Sequence, residues 1–224
     1  VRVPIRLGAD VFLDGLISPE NTDRLADAMQ AFSLLMKINQ VENYRACATS
    51  AMRESINGQE VADKVYKRTG VRIEIIDGAE EASIIASTDI SSLIQKDKDY
   101  LYIDVGGGST EFTVFSKGKV KKSRSFPIGT VRLLDNKVSD KTWEDVEKWI
   151  KKHTKDCEHI EAIGSGGNIN KIHKNSNSKE GEPLSYQYLT DYHNYVSGFS
   201  YEERIRLLGF NPDRADVILY ALTV

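Results

Sequence analysis

Three consecutive glycines stand between two apolar segments in the stretch LYIDVGGGSTEFTVF, which runs from Leu101 to Phe115. Ordered glycine costs conformational entropy, so a run of three indicates that the backbone bends sharply or that another group approaches it closely. LYIDV has the continuous apolar character of a buried strand, and TEFTVF is typical of an antiparallel partner. The stretch therefore predicts a buried hairpin that turns at the glycines.

The segments around this hairpin predict an α/β protein with two domains. In the first half, VRVPIRLG resembles part of a strand, and Ser18 with Pro19 predicts the start of a helix that ends near Asn39. A strand at YRACATS, a helix over 59–68, a strand at VRIEII and a helix from DGAEEA follow. The second half begins with the hairpin, which differs from the alternating helices and strands of the first half. This difference favours domains at 1–83 and 84–224.

Further elements are expected in the second half. The turn after Ser116 leads to a third strand near 120–126, and Trp143 to Ile150 predicts a helix. IEAIG predicts another buried strand that ends in glycines, and Ser200 with Glu203 forms a capping box for the helix YEERIRLLG.

Charge and cysteine content restrict the partners. The 224 residues carry 30 Lys and Arg against 33 Asp and Glu, a net charge of -3, which predicts no strong attraction to nucleic acid or to an anionic membrane. No apolar run has the length of a membrane span. Cys47 and Cys157 stand in unrelated settings, which favours a reduced, cytoplasmic protein over a disulfide scaffold.

Two glycine loops predict anion binding. In the first, Gly106 to Thr110 follow a strand, so successive backbone N–H groups can point into one concavity, and the Ser109 and Thr110 hydroxyls can add hydrogen bonds. The alternative is an ordinary hairpin turn. The second loop, Gly164 to Asn168, repeats this chemistry after another buried strand, which favours phosphate binding.

Acids stand where a phosphate hydrolase would need them. Asp104 and Glu111 flank the first loop, and Glu80 and Glu81 begin the helix after VRIEII. Carboxylates beside bound phosphate repel it unless they hold a divalent cation or position a water, so this pattern indicates Mg²⁺ and a general base. The alternatives are N-terminal helix acids for the glutamates, a turn-capping acid for Asp104, and a surface ion pair for Arg53, the cation singled out in ATSAMRES.

Six ordered motifs resemble the exopolyphosphatase and guanosine pentaphosphate phosphohydrolase family. They are ATSAMRES, IIDGAEEA, IDVGGGSTEF, FPIGTVRL, IGSGGNINKI and PDRADVI, and together they cover nearly the whole chain. The resemblance implies the actin-like fold, with two ribonuclease-H-like domains facing a cleft, and a homodimer is compatible with it. It also implies that Glu80 or Glu81 activates water, with Glu80 favoured by its place directly after the turn.

The same resemblance implies roles for the other motif residues. Arg53 would contact the phosphate chain, Asp104 and Glu111 would hold Mg²⁺, and Glu111 would also assist catalysis. The phosphate under attack would lie in a set of loop residues: Gly106, Gly107, Gly108, Ser109, Thr110, Gly164, Ser165, Gly166 and Gly167.

One departure from the family pattern leaves more than one function open. Family members begin with a phosphate loop of the pattern Asp-x-Gly-Ser-Asn, which this chain lacks, and they continue further after PDRADVI. We therefore expect a natural protein that is longer at both ends. The leading hypothesis is an Mg²⁺-dependent hydrolase of polyphosphate or of guanosine pentaphosphate. The alternatives are a non-catalytic sensor of these ligands and an ATP-using member of the same fold.

Overall fold

The computed structural model describes residues 3–87, 94–179 and 181–224. Their contacts divide the chain into two compact units, unit 1 at Val1–Ser87 and unit 2 at Thr88–Val224. The fold class is α/β, as expected. The boundary between the units falls four residues after the predicted one, and we retain the assignment of the units to the two actin-like domains as a proposal.

Unit 1 surrounds a short parallel sheet with helices. In chain order its elements are α1 (Leu7–Asp14), α2 (Pro19–Ile38), β1 (Ala46–Ala48), α3 (Ser50–Glu54), α4 (Gly58–Thr69), β2 (Ile73–Ile75) and α5 (Gly78–Ser87). β1 pairs with β2 in parallel, with Ala46 opposite Ile73. The predicted limits of α2 and α4 are confirmed: the Ser18 hydroxyl accepts a hydrogen bond from the Asn21 N–H at 3.2 Å, and Gly70 ends α4 in the left-handed conformation.

A single apolar cluster holds unit 1 together. It joins side chains of α1, α2, α3 and α4: Val11, Leu25, Ala26, Met52, Val61, Ala62 and Val65. Burial of each larger member contributes about 1.5 to 3 kcal/mol relative to an exposed side chain. The cluster thereby fixes α3 and the end of β1 against the long helices.

One prediction for unit 1 was wrong. The expected strand at VRVPIRLG is absent from the described residues 3–6, which form an irregular segment, and α1 begins at Leu7. The residues after β1 form α3, which carries Arg53 in its last turn. Neither α1 nor α3 has a side-chain cap that could have signalled its start.

Unit 2 begins with a four-stranded sheet. Its strands are β3 (Asp99–Val105), β4 (Thr110–Ser116), β5 (Lys119–Phe126) and β6 (Ile160–Ser165), in the spatial order β5-β4-β3-β6. β3, β4 and β5 form the predicted antiparallel meander, and β6 lies parallel to β3. The carboxyl ends of β3 and β6 therefore meet at one edge of the sheet.

Helices of unit 2 pack in two clusters. They are α6 (Thr130–Leu134), α7 (Asp140–Thr154), α8 (Gly167–Asn175), α9 (Tyr186–Ser197), α10 (Tyr201–Arg206), α11 (Pro212–Ala215) and α12 (Ile218–Thr223). Trp149 of α7 packs against the sheet residues Phe112, Val114 and Phe126. Ile172 of α8 centres a second cluster with α9, α11 and α12. The predicted capping box at Ser200 and Glu203 is present.

Within the part of the chain that the structure describes, no helix has both the length and the apolar character needed to cross a membrane.

Candidate functional site

Two carboxylates lie side by side at the sheet edge of unit 2. The register places Asp104 of β3 opposite Glu111 of β4 on one side and opposite Ser165 of β6 on the other. Cross-strand neighbours have Cβ atoms about 4.5 to 5.5 Å apart, so the two acids share one face of the sheet. Asp104 therefore lies between Glu111 and the second glycine loop within this unit.

Burial of two adjacent carboxylates is energetically unfavourable. Glu111 is 3% exposed, and its Oε1 accepts hydrogen bonds from the Ser109 hydroxyl at 2.7 Å and the Ser125 hydroxyl at 2.8 Å. Burial and the adjacent Glu111 charge raise the pKa of Asp104, although the Ser165 hydroxyl donates to its carboxylate and opposes the rise. A bound cation would relieve both unfavourable effects.

The first glycine turn lies against a backbone clamp formed by residues 129–132. The Thr130 N–H donates to the Gly106 carbonyl at 3.0 Å, and the Val131 N–H donates to the Gly107 carbonyl at 2.9 Å. A Cβ at Gly129 would lie 2.3 Å from the Gly107 oxygen, so only glycine fits there. This clamp was contained in the motif FPIGTVRL, but no role was predicted for its residues.

The clamp sets the direction of the loop N–H groups. In a planar trans peptide the carbonyl and the following N–H point in opposite directions. Since the carbonyls of Gly106 and Gly107 point toward the clamp, the N–H groups of Gly107 and Gly108 point away from it. Neither Gly106 nor Gly107 adopts a left-handed φ. A Cβ would lie 3.0 Å from the Ser109 oxygen at Gly106 and 3.3 Å from Val131 Cγ2 at Gly107, so close contacts favour glycine here.

The second glycine segment is a strand-to-helix turn. Gly164 and Ser165 end β6, Gly166 turns the chain at φ 106°, and Gly167 begins α8. A Cβ on Gly166 would lie 3.5 Å from Asp104 Oδ1 and 3.3 Å from the Val105 oxygen. The α8 N-terminus, whose unpaired N–H groups and dipole favour anions, therefore adjoins the Asp104 carboxylate.

The two loop hydroxyls have partners within the protein. Thr110 is fully buried, and its hydroxyl donates to the Ile128 carbonyl at 2.6 Å, so it holds the segment before the clamp instead of facing a phosphate as expected. The Ser109 hydroxyl donates to Glu111. Ser125, which the sequence analysis missed, completes the environment of Glu111 because β5 places it directly across from that residue.

Unit 1 contains the other three predicted residues, and its two glutamates differ. Glu80 is exposed, and its Oε1 lies 2.5 Å from Arg45 Nη2, which also pairs with Glu74. Glu81 is 14% exposed at its side chain and lies 3.6 Å from Arg53 Nη1. Arg53 Nη1 also donates to the Ile76 carbonyl at 2.7 Å, which fixes the guanidinium beside Glu81.

Metal binding would rely on few protein ligands. Across residues 3–87, 94–179 and 181–224, no group of three or more His, Cys, Asp or Glu is arranged to hold a metal ion. Mg²⁺ is commonly bound by one or two carboxylates together with substrate phosphates and water. Asp104 and Glu111 supply those two carboxylates. The remaining ligands of Mg²⁺ would then come from substrate phosphates and water.

Comparisons with known proteins agree with these motifs. The model of a family described as the Ppx/GppA phosphatase family matches residues 2–224. A bifunctional 3-dehydroquinate synthase/phosphatase of Fusobacterium nucleatum is 31% identical over 170 residues, covering 71% of this chain and 26% of that protein. Exopolyphosphatase 2 of Mycobacterium tuberculosis is 32% identical over 140 residues, covering 58% of this chain and 42% of that protein.

Solved structures show the same fold. The crystal structure of an exopolyphosphatase from Cytophaga hutchinsonii superposes with a TM-score of 0.77 at 23% identity, covering 94% of this chain and 74% of that one. The matched regions account for less than half the length of the two curated relatives named above.

Proposed function

Because the chain belongs to the Ppx/GppA phosphatase family, we propose that the full-length protein hydrolyses the terminal phosphoanhydride bond of inorganic polyphosphate or guanosine pentaphosphate, with Mg²⁺ as its cofactor. The observation that carries the proposal is the pairing of Asp104 with buried Glu111 between two glycine turns. Anion-binding N–H groups beside two carboxylates suit a phosphate and a divalent cation together.

Unit 2 supplies the phosphate and metal ligands in this proposal. The N–H groups of the first glycine turn and of the α8 N-terminus would bind the phosphoryl oxygens and stabilise the charge that develops on them during attack. Asp104 and Glu111 would hold Mg²⁺, which when bound neutralises phosphate charge. The raised pKa of Asp104 agrees with a site that binds a cation in its functional state.

In unit 1 we propose Glu81, and not Glu80, as the residue that activates water. Glu80 lies on the exposed surface in an ion pair with Arg45, as a structural helix acid would. The Glu81 side chain is mostly buried, and Arg53 beside it orients the carboxylate. General-base catalysis by such a side chain contributes typically 10² to 10⁴-fold to a rate.

The test is phosphate release by the full-length protein with Mg²⁺, measured on polyphosphate and on guanosine pentaphosphate in parallel. Glu81→Gln should lower kcat at least about 100-fold while ligand binding, measured by calorimetry, is retained. Glu80→Gln should lower it less than about tenfold, because only an exposed ion pair is lost.

Each other outcome has a defined meaning. Loss of turnover in Glu80→Gln with retention in Glu81→Gln would reverse the roles of the two acids. Binding without release by the wild-type protein would replace the hydrolase proposal with a sensor. Release from ATP alone would indicate the ATP-using alternative. Comparison of polyphosphate with guanosine pentaphosphate identifies the preferred substrate.

A further inference from the structure

The third carbonyl of the glycine turn is held differently from the first two. Backbone N–H groups of Thr130 and Val131 hold the carbonyls of Gly106 and Gly107, and any residue type except proline at those positions would supply them. The Gly108 carbonyl instead accepts a hydrogen bond from Arg132 Nε at 2.7 Å. Arg132 is thus the clamp member whose side chain, and not only its backbone, determines the shape of the turn.

This contact fixes the peptide between Gly108 and Ser109. The Gly108 oxygen and the Ser109 N–H belong to one planar unit, so holding the oxygen toward Arg132 directs the N–H away from the clamp. The Ser109 side chain is fixed as well, since its hydroxyl donates to Glu111 Oε1. Arg132 therefore holds the carbonyl of this peptide, and Glu111 holds the side chain of the residue that carries its N–H.

We propose that Arg132 is a positioning residue, which keeps the Ser109 N–H aimed at the phosphoryl group under attack by holding the Gly108 carbonyl. The inference rests on the proposed function, because it identifies how the first glycine turn of that site is kept in a binding geometry. Glycine peptides rotate readily, so without Arg132 the Gly108–Ser109 peptide would sample orientations in which the N–H no longer faces the ligand. Preorganised donors of this kind act mainly on the transition state.

The test compares three variants of the full-length protein. Arg132→Met keeps the length of the side chain and removes the donor, and Arg132→Lys retains a cationic donor. Arg206→Met is the matched control, since Arg206 is an exposed arginine on α10 of the same unit. Hydrogen exchange of the Gly106, Thr130 and Val131 amides, which donate to carbonyls of the turn, is followed in the ligand-free protein, and phosphate release from tripolyphosphate gives kcat and KM.

We expect these three amides to exchange about tenfold faster in Arg132→Met, and kcat to fall about 10- to 100-fold with a smaller change in KM, because a misplaced donor chiefly affects the transition state. Arg132→Lys should recover part of kcat, and Arg206→Met should match the wild type. Unchanged exchange in Arg132→Met would overturn the proposal. So would a kcat per folded molecule that stays constant while thermal stability falls, because that result describes a merely structural role.

Failure of this inference is distinguishable from failure of the proposed function. If the wild-type protein releases no phosphate, the hydrolase proposal fails, while the exchange measurement still reports whether Arg132 holds the turn. If the wild-type protein is active and Arg132→Met retains its full kcat, the hydrolase proposal stands and Arg132 has no positioning role.

Discussion

Replacing Asp104 with asparagine is expected to make unit 2 more stable at neutral pH while it abolishes most hydrolysis. The carboxylate lies across from buried Glu111, and without a cation both charges face each other on one surface of the sheet. Asparagine keeps the size of the side chain and an oxygen that can accept the Ser165 hydrogen bond, but it removes the charge. Activity should fall because a proposed Mg²⁺ ligand is lost.

The size of the gain follows from the spacing of the two acids. Two unit charges about 5 Å apart, the separation of cross-strand neighbours, repel by about 3 kcal/mol at an effective dielectric constant near 20. Asp104 is only partly buried, and solvent screening reduces this figure. We therefore expect the free energy of unfolding at pH 7.5 to rise by about 1 to 3 kcal/mol.

The pH dependence of this gain has a definite sign. The folded-state pKa of Asp104 is raised above its unfolded value, so the wild-type protein is relatively most stable when Asp104 is protonated and loses stability as the pH rises through the folded pKa. The advantage of Asp104→Asn should therefore grow with rising pH. It should shrink toward the unfolded-state pKa of about 3.9.

Tryptophan fluorescence during urea unfolding measures this effect in unit 2, because the two tryptophans of the 224-residue chain, Trp143 and Trp149, both lie in α7. Unfolding is compared at pH 7.5 and pH 4.5 without added metal, with the exposed Asp97→Asn as control. A lower urea midpoint for Asp104→Asn at pH 7.5, or a gain that is equal at both pH values, would refute the reasoning.

Two further substitutions test the surroundings of the pair. Ser125→Ala should cost about 1 to 3 kcal/mol in unfolding free energy, because buried Glu111 loses one of its two hydroxyl donors, and Ser125→Thr should restore most of it; equal urea midpoints would contradict this. Gly129→Ala should cost about 2 to 3 kcal/mol and reduce phosphate release, because the new methyl group overlaps the Gly107 oxygen, whereas Gly198→Ala meets only an ordinary contact at 3.4 Å. Equal stability of the two glycine variants would show that the clamp yields easily.

The sequence predicted the hairpin of unit 2 well because its signals are local. Apolar residues recur along β3 and β4, β4 is buried from Thr110 to Phe115, and the glycines between the two strands mark the turn. Capping residues likewise marked the starts of α2 and α10, whose Ser18 and Ser200 hydroxyls accept the predicted hydrogen bonds. α1 and α3 lack such caps, and packing against the cluster around Met52 stabilises them instead. No local sequence pattern therefore predicted where they begin.

Some contacts of the site are local in the sequence and could be predicted, whereas others join distant residues and could not. Position along a strand was enough to pair Asp104 with Glu111, since β3 and β4 are joined by a short turn. Nothing in the dipeptide at Glu80 and Glu81 distinguishes the two acids; they differ because Arg45 and Arg53, more than 25 residues earlier, contact one each. The order of residues in a helix does not determine which of two adjacent side chains is buried.

The clamp explains why an apparently local motif depends on distant residues. A glycine run by itself leaves its peptides free to rotate, and free rotation weakens an anion site because every donor must then be ordered when the ligand binds. In unit 2 that ordering is already present, since residues 129–132 hold the carbonyls of Gly106, Gly107 and Gly108 before any ligand is present. The absence of a side chain at Gly129 is what allows the clamp to approach the Gly107 carbonyl so closely. The glycine turn therefore depends on the clamp for its shape. Substitutions in the clamp should lower the rate of phosphate release as much as substitutions in the glycine run.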